Sequence, residues 1–413
     1  MVMRLYTGLE SSLEQGRWKP EGVPTVYNFI DRASKRYDLK IILTCKDSGK
    51  TYTSGWTNNK DGVFNLDGLS SQIYALAGVS YFAGNMPRKL AMILRDMRHL
   101  FKISMFVIRE KPDLIYCDGA NVTFAYCLTK LFPKTPIILR LLGICSFLRS
   151  LPHAKRLAHR IYKLAFTGKF AAAIGTQDGT GTEFFFEKVL RPSVPRHVLL
   201  NGTDKAVPSS NAEKTLPQGW LDAQTKHLTV LFVGRVEEDK GIRTFITAMI
   251  AAMSENANRL RVIIVGSGSL LAEMQTIILH SGFSDRFHFS GSVPHEYILG
   301  FHFVSDIYVS TNIDGNLTNA NLEAISANAC MIIPGAQHEK FIDVKTSEYL
   351  SDCVLYFRVG DPEDLKKKVL HLVNHPIEIS RLTEKLHVRK KTFMRSWDER
   401  VHEELDIIDN LVS

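Results

Sequence analysis

Residues 227–249 read "HLTVLFVGRVEEDKGIRTFITAM", and they decide the fold. The apolar run after His227 suits a buried strand. It stops at Gly234 and Arg235, and five residues further Lys240 and Gly241 open a stretch of helical spacing that continues to Met253. An Arg at a strand end and a Lys at a helix N-terminus aim positive charge at one edge of a sheet, where backbone N–H groups also gather. That combination suits a diphosphate. In the structural alternative the two cations simply pair with Glu237, Glu238 and Asp239; the flanking glycines favour close approach of a ligand instead.

Outward from this βα unit the same rhythm repeats. Apolar runs at 259–269, 286–293, 306–311, 329–335 and 353–357 read as strands, with helical patterns at 241–253, 269–280 and 320–328. The first half does likewise, with strands at 38–44, 112–119, 136–143, 171–176 and 197–202 and helices at 25–37 and 154–166. Strict alternation implies a parallel sheet covered on both faces. Residues 204–226 lose the pattern and gain Pro, Ser, Asn and Lys, as a linker does. The expected architecture is α/β, with two Rossmann-like domains facing across a cleft. They comprise residues 1–203, completed by a C-terminal helix at 392–413, and residues 227–391. A chain of 413 residues exceeds what one core usually supports.

The hydrophobic fraction of 45% and charged fraction of 23% exclude disordered and fibrous classes. No apolar run approaches the roughly 20 residues of a membrane span, and residues 1–20 lack the apolar centre of a signal peptide, so a cytoplasmic protein is expected. The sequons at Asn121, Asn201 and Asn316 then carry no weight. Six scattered cysteines show no CxxC pair and no DxD occurs, so neither a metal nor a cofactor is expected. Signatures of triad hydrolases, P-loops and HExxH metalloenzymes are absent.

The net charge of +8 is unevenly placed. From Gly119 to Gln177 there is no Asp or Glu, while nine Lys and Arg fall inside. Just before, Leu90, Leu94, Met97, Phe101 and Met105 repeat at helical spacing among Lys89, Arg95, Arg98 and Lys102. A solvated helix face is the plain reading. Among partners, a phosphorylated ligand or an anionic membrane fits; nucleic acid does not, because no recognition pattern accompanies the charge.

One stretch is polar where a core segment should be apolar: "STNIDGNLTNANLEAISANACMIIPG", residues 310–335. A strand leads into a polar loop and then a short helix, for which Asn319 is the expected N-cap. The N–H groups of Ala320, Asn321 and Leu322 would then face an anion or sugar hydroxyls. Glu323 would point from the first turn, and a carboxylate that only accepts suits a vicinal diol such as ribose. Its structural alternative is to complement the helix dipole.

Taken together, Gly234, Arg235, Lys240, the "GSG" from Gly266, and "NLTNANLEA" before a strand resemble the C-terminal domain of retaining glycosyltransferase family 4, of the GT-B fold. "KPDLIYCDG", "VLLNGTD" and the terminal "SWDERVHEEL" extend the resemblance along most of the chain. It implies that Arg235 and Lys240 hold the diphosphate of a nucleotide-sugar, that Glu323 holds its ribose as the second Glu of an E-x7-E motif, and that Ser292 and Val293 lie against the base through their backbone. It also implies that the last helix packs back on the first domain.

Three departures stand out. Gly315 occupies the place of the first Glu, as in a subgroup with an Asn-rich loop, which leaves Asp314, Asn316 and Asn319 as candidates for sugar hydroxyls. Leu142 stands where many members have a His before Gly143, with Arg140 nearby reading equally as an acceptor contact or as structural. Gly22 replaces the usual N-terminal glycine pair. The implied activity is metal-independent retaining transfer of a hexosyl group, with UDP the family's habitual carrier, to a glycan or polyprenyl-linked acceptor in cell-surface polysaccharide assembly. Its site would be on the inner face of a membrane. The rivals are a nucleotide-sugar-binding scaffold that has lost turnover and a nucleotide-sugar epimerase.

Overall fold

The computed structural model describes residues 1–20, 22–46, 60–82, 86–153, 155–204, 216, 220, 227–256 and 259–413. They form two compact units. Unit 1 comprises Met1–Thr176, Thr182–Leu199 and Trp397–Ser413; unit 2 comprises Gln177–Gly181 and Leu200–Ser396.

Unit 1 contains β1 (Val2–Arg4), α1 (Thr7–Gln15), α2 (Pro24–Arg36), β2 (Ile41–Thr44), β3 (Gly62–Phe64), β4 (Ile73–Leu76), α3 (Arg88–Glu110) and β5 (Ile115–Asp118). These are followed by α4 (Val122–Leu131), β6 (Ile137–Leu141), α5 (Ser146–Ser150), α6 (Leu157–Ala165), β7 (Ala172–Gln177), α7 (Thr182–Val189) and β8 (Arg196–Leu200). The sheet runs β3-β4-β2-β1-β5-β6-β7-β8.

Unit 2 contains β9 (Leu228–Val233), α8 (Ile242–Asn256), β10 (Leu260–Val265), α9 (Leu271–Ser281), β11 (Phe287–Gly291), α10 (His295–Phe303), β12 (Ile307–Val309) and α11 (Asn319–Ser326). Then come β13 (Cys330–Pro334), α12 (Val344–Leu350), β14 (Leu355–Phe357), α13 (Pro362–Asn374) and α14 (Pro376–Lys390), while α15 (Trp397–Val412) belongs to unit 1. Its sheet runs β11-β10-β9-β12-β13-β14, and every pairing in it is parallel.

The continuous apolar runs have a direct physical cause. Successive residues of a strand point to opposite faces. Along the unit 2 strands Val230, Phe232, Val262 and Ile264 enter one core, whereas Leu231, Ile263 and Tyr308 enter the other. Unit 1 repeats the scheme, with Ile115, Cys117, Ile137 and Leu139 on one face and Met3, Tyr116, Ile138 and Ile174 on the other. Helices cover both faces, so polar residues are excluded from most strand positions. The two α/β units are Rossmann-like.

Several boundaries differ from the sequence expectation. β1 is only three residues long and carries no readable period, yet it lies between β2 and β5, pairing Val2 with Ile42 and with Cys117. β3 pairs antiparallel with β4, so the first sheet is mixed at one edge and its alternation is not strict. Gln177–Gly181 belongs to unit 2 because Leu317 donates its N–H to the Asp178 carbonyl at 3.1 Å and Asp343 donates to that of Gly179 at 2.8 Å. The last helix begins at Trp397 rather than 392, and Val401, Leu405 and Ile408 insert it into the core of unit 1. Most of the expected linker lies outside the described residues.

Candidate functional site

In unit 2, β9 ends where Gly234 donates to the Val265 carbonyl at 3.0 Å. Beyond it Nη2 of Arg235 donates to Oδ2 of Asp239 at 2.9 Å, and Nζ of Lys240 stands 3.5 Å from the same oxygen. Lys240 also donates to Oδ1 of Asn312 at 3.3 Å. Burial, ahead of the attraction of Asp239 and the repulsion of Arg235, lowers the Lys240 pKa from its ordinary value. Two cations thus meet at the Asp239 carboxylate. Glu237 is occupied elsewhere: it accepts from the N–H and hydroxyl of Ser269 at 2.7 and 2.6 Å.

Gly266 follows β10 with φ +131°, and a Cβ there would lie 2.0 Å from the Gly234 carbonyl oxygen. Only glycine permits that approach. Its N–H donates to the Gly291 carbonyl at 2.8 Å, which ties the ends of β9, β10 and β11 together. Ser292 is exposed and Val293 half-buried just after β11, ahead of α10.

The Asn-rich loop is organised by its own amides. Asn316 is wholly buried; its Oδ1 accepts from Ser310 at 2.8 Å, and its Nδ2 donates to the Asn312 carbonyl at 3.0 Å and to Oδ2 of Asp343 at 2.7 Å. Its backbone N–H donates to Oδ1 of Asp343 at 2.6 Å. Burial pushes the carboxyls of Asp343 and Asp178 up to about 6. Asn316 is therefore corrected from a sugar contact to the hub of the loop. Asp314 is half-buried on the same loop, close enough to Lys240 and Asp343 to act on their titration.

Thr318, not Asn319, caps α11: its Oγ1 accepts from the Asn321 N–H at 3.4 Å and its carbonyl accepts from the Leu322 N–H at 2.9 Å. The N–H groups of Asn321 and Leu322 are accordingly used within the helix start, and the cap leaves those of Asn319 and Ala320 as the outward donors. The side chain of Leu322 is core, and that of Asn321 donates to the Asn316 carbonyl at 3.0 Å while accepting from the Tyr308 hydroxyl at 2.7 Å. Oδ1 of Asn319 accepts from Asn201 at 2.8 Å. With Thr318 as cap, Glu323 is the fifth helical residue and stands in the second turn. Its Oε1 accepts from Nε2 of His295, the first residue of α10, at 2.7 Å. That hydrogen bond raises the His295 pKa above its ordinary value, against desolvation, and the charges of Glu323 and Asp204 act in the same sense.

Hydrogen bonds, with one ion pair between Asp239 and Lys240, therefore connect Arg235 through Asp239, Lys240, Asn312, Asn316 and Asn321 to α11. His295 and Asp343 had no sequence signal, whereas Asn201 lies in the quoted "VLLNGTD" and Asn312 in the quoted stretch 310–335.

The three residues expected on the acceptor side lie in unit 1. Arg140 is buried: Nε donates to Oε1 of Glu404 at 3.0 Å and Nη2 to Oγ1 of Thr176 at 2.9 Å, so its reading as a substrate contact is corrected to a structural one. Gly22, just before α2, and Gly143, after β6, have φ +74° and +142°. The polar groups at the C-terminal ends of β1, β2 and β5 are others. Asp118 accepts from the Arg4 N–H at 2.7 Å and the Tyr6 hydroxyl at 3.1 Å, and Lys46 stands 3.5 Å from Asp96.

Comparison with known proteins bears on both units. Residues 221–387 match the family described as Glycosyl transferases group 1. Over 96 residues the chain is 28% identical to 2-deoxystreptamine glucosyltransferase of Streptomyces kanamyceticus, a match that spans 23% of this chain and 24% of that protein. Among solved structures, sucrose-phosphate synthase from Thermosynechococcus elongatus is similar with TM-score 0.70 at 14% identity, over 99% of this chain and 98% of that one. HepE of Anabaena in complex with UDP gives TM-score 0.66 at 14% identity, again over 99% and 98%. A glycosyltransferase from Rickettsia africae gives 0.62 at 11% identity, over 100% and 98%. At these identities the structures speak to the fold, which is that of GT-B proteins, and within it residues 221–387 are similar to the glycosyl transferases group 1 family.

Proposed function

We propose that the protein is a retaining, metal-independent glycosyltransferase of family 4 that moves a hexosyl group from a UDP-sugar to a glycan or lipid-linked acceptor. The observation that carries the reading is the continuous network joining Arg235 and Lys240 to the start of α11, with Glu323 held one turn further in. A nucleotide-sugar presents two features that this edge complements, a diphosphate and a ribose diol. In this reading Arg235 and Lys240 take the diphosphate, together with the N–H groups of Asn319 and Ala320, and Glu323 accepts from the ribose hydroxyls. Ser292 and Val293 lie along the base. The UDP bound by HepE and the glucosyltransferase name of the Streptomyces relative support a UDP-sugar.

The chemistry follows from where charge develops. As the bond from the anomeric carbon to the phosphate oxygen breaks, negative charge grows on the diphosphate, and fixed positive groups lower that barrier. The acceptor hydroxyl attacks from the face the diphosphate leaves, forming the new glycosidic bond, and its proton passes to the departing phosphate oxygen. The products are nucleoside diphosphate and a glycoside of unchanged anomeric configuration. Work at the cytoplasmic face of a membrane, on a polyprenyl-linked acceptor for surface polysaccharide, is part of the proposal.

The test is a thermal-shift series with UDP, GDP, ADP and their sugars on wild type and Glu323→Ala. A rise with UDP that the variant loses is the expected result. A rise with no nucleotide would overturn the donor site. Donor-only incubation separates the rival: release of an altered UDP-sugar without an acceptor would mean epimerisation.

A further inference from the structure

Helix α3 is turned so that its large apolar side chains face outward. At about 100° per residue, Leu90, Ile93, Met97, Phe101, Met105 and Ile108 fall within an arc of roughly 120°. All six are exposed, Ile93 by 57% and Met97 and Phe101 by 63% each. The opposite face, Ala91, Arg95, His99, Ile103 and Val107, is buried in unit 1. An ordinary amphipathic helix on a sheet would carry polar groups outside. α6 repeats the inversion, with Leu157 exposed by 71% and Ile161 and Leu164 beside it. α4 packs against both helices, so the three share one side of the sheet.

The charge around these stripes is mostly positive, with Asp96 and Glu110 the carboxylates of α3. Residues 119–177 contain no Asp or Glu, and Lys130, Lys134, Lys155, Arg156 and Arg160 are exposed on or beside α4 and α6. On α3 itself Lys89 is exposed, whereas Arg98 is already paired with Asp61 at 2.5 Å and Lys102 stands 3.9 Å from it. A second copy of the chain would set like charge against like charge. Nucleic acid would meet the cations but leave the apolar stripes in water. A bilayer of anionic lipid satisfies both, because apolar side chains enter the headgroup boundary while Lys and Arg meet the phosphates. We infer that the outward face of α3 and α6 seats unit 1 on an anionic membrane surface. The helix, about 35 Å long by its rise per residue, would lie flat rather than span. No helix among the described residues is long and apolar enough to cross a membrane. The inference stands on unit 1 alone and is independent of sugar transfer.

The experiment is co-sedimentation of the full chain with vesicles of phosphatidylcholine, alone or mixed with phosphatidylglycerol, at low and high salt. Pelleting with the anionic vesicles at low salt is expected, reduced by high salt. The double variant Met97→Ser, Phe101→Ser should bind about tenfold more weakly or worse, since it removes two side chains that would enter the lipid. Its melting temperature should match wild type, because neither residue belongs to the core. Absence of pelleting, equal pelleting with neutral vesicles, or undiminished pelleting of the variant would each overturn the inference. So would a lipid-free dimer in sedimentation velocity that the same variant dissociates, which would give the face to a second copy.

Discussion

Nε2 of His295 lies 2.7 Å from Oε1 of Glu323, so the helix carrying the candidate ribose ligand is pinned to the first residue of α10. The bond raises the His295 pKa. A folded pKa above the unfolded value, about 6.5, adds stability that is complete below that value and is lost as pH rises through the folded one. The His295 side chain is more than half exposed, so solvent screening holds the effect below about 1 kcal/mol. Melting temperatures of wild type and His295→Gln, followed from about pH 5.5 to about pH 8, should differ at the acid end and converge at the other. A constant difference would mean that the imidazole acts only as a neutral donor.

Arg235 and Lys240 meet the same carboxylate oxygen of Asp239, and this makes opposite predictions for the two signs of charge. Arg235→Ala should lower turnover by about 100-fold, the scale of one lost electrostatic stabiliser. Asp239→Asn removes the competing anion and should tighten UDP binding by a few-fold, about what one partly screened charge contributes. Titration calorimetry checks the second. Weaker binding by Asp239→Asn would show that the carboxylate orients the cations and that its charge is secondary.

Arg140 gives a prediction about stability instead of substrate. Its Nε meets Glu404 at 3.0 Å, and Nη1 of Arg400 stands 2.8 Å from the other oxygen of that carboxylate as an ion pair, all three residues being buried in unit 1. Burial pushes the Glu404 carboxyl up, but the two guanidinium groups prevail and hold its pKa below the ordinary value. Arg140→Ala should cost about 3–5 kcal/mol in denaturant unfolding, as breaking a buried pair does. A fold of ordinary stability with a raised acceptor KM would restore the acceptor role.

The local features were legible because their causes are local. The runs from Val230 to Val233 and from Val262 to Val265 are apolar without interruption since both faces of the sheet are covered. The positions of Arg235 at a strand end and of Lys240 just before a helix could be read from spacing beside glycines, whereas the roles of these two and of Glu323 toward a nucleotide-sugar came from the family resemblance. Partners far away in the chain could not be read. Asn316 is claimed by Asp343, 27 residues on, and Arg140 by Glu404, 264 residues on. No window of sequence shows that either side chain is already satisfied. The capping residue was misread for a smaller reason: Thr318 and Asn319 are both acceptable caps, and the bond of Asn319 to Asn201 decides between them.

Gly315 stands where the family resemblance would place a first Glu, and its backbone explains why no side chain stands there. Its φ is +99°, and a Cβ would lie 2.6 Å from the Asp178 carbonyl oxygen and 2.9 Å from the Gly179 carbonyl carbon. Both neighbours are fixed: Asp178 accepts from the Leu317 N–H, and the Asp343 N–H holds Gly179. A carboxylate cannot be restored here by one substitution. Gly315→Ala should destabilise the protein by about 1–3 kcal/mol from the backbone strain alone, with the clash adding to it. Gly315→Glu should be worse, and should weaken UDP binding, because the displaced loop carries Asn312 and therefore Lys240. Chemical denaturation and UDP titration of both variants test this. If Gly315→Glu folded normally and bound UDP more tightly, the loop would have room for a carboxylate, and backbone strain at this position would be excluded.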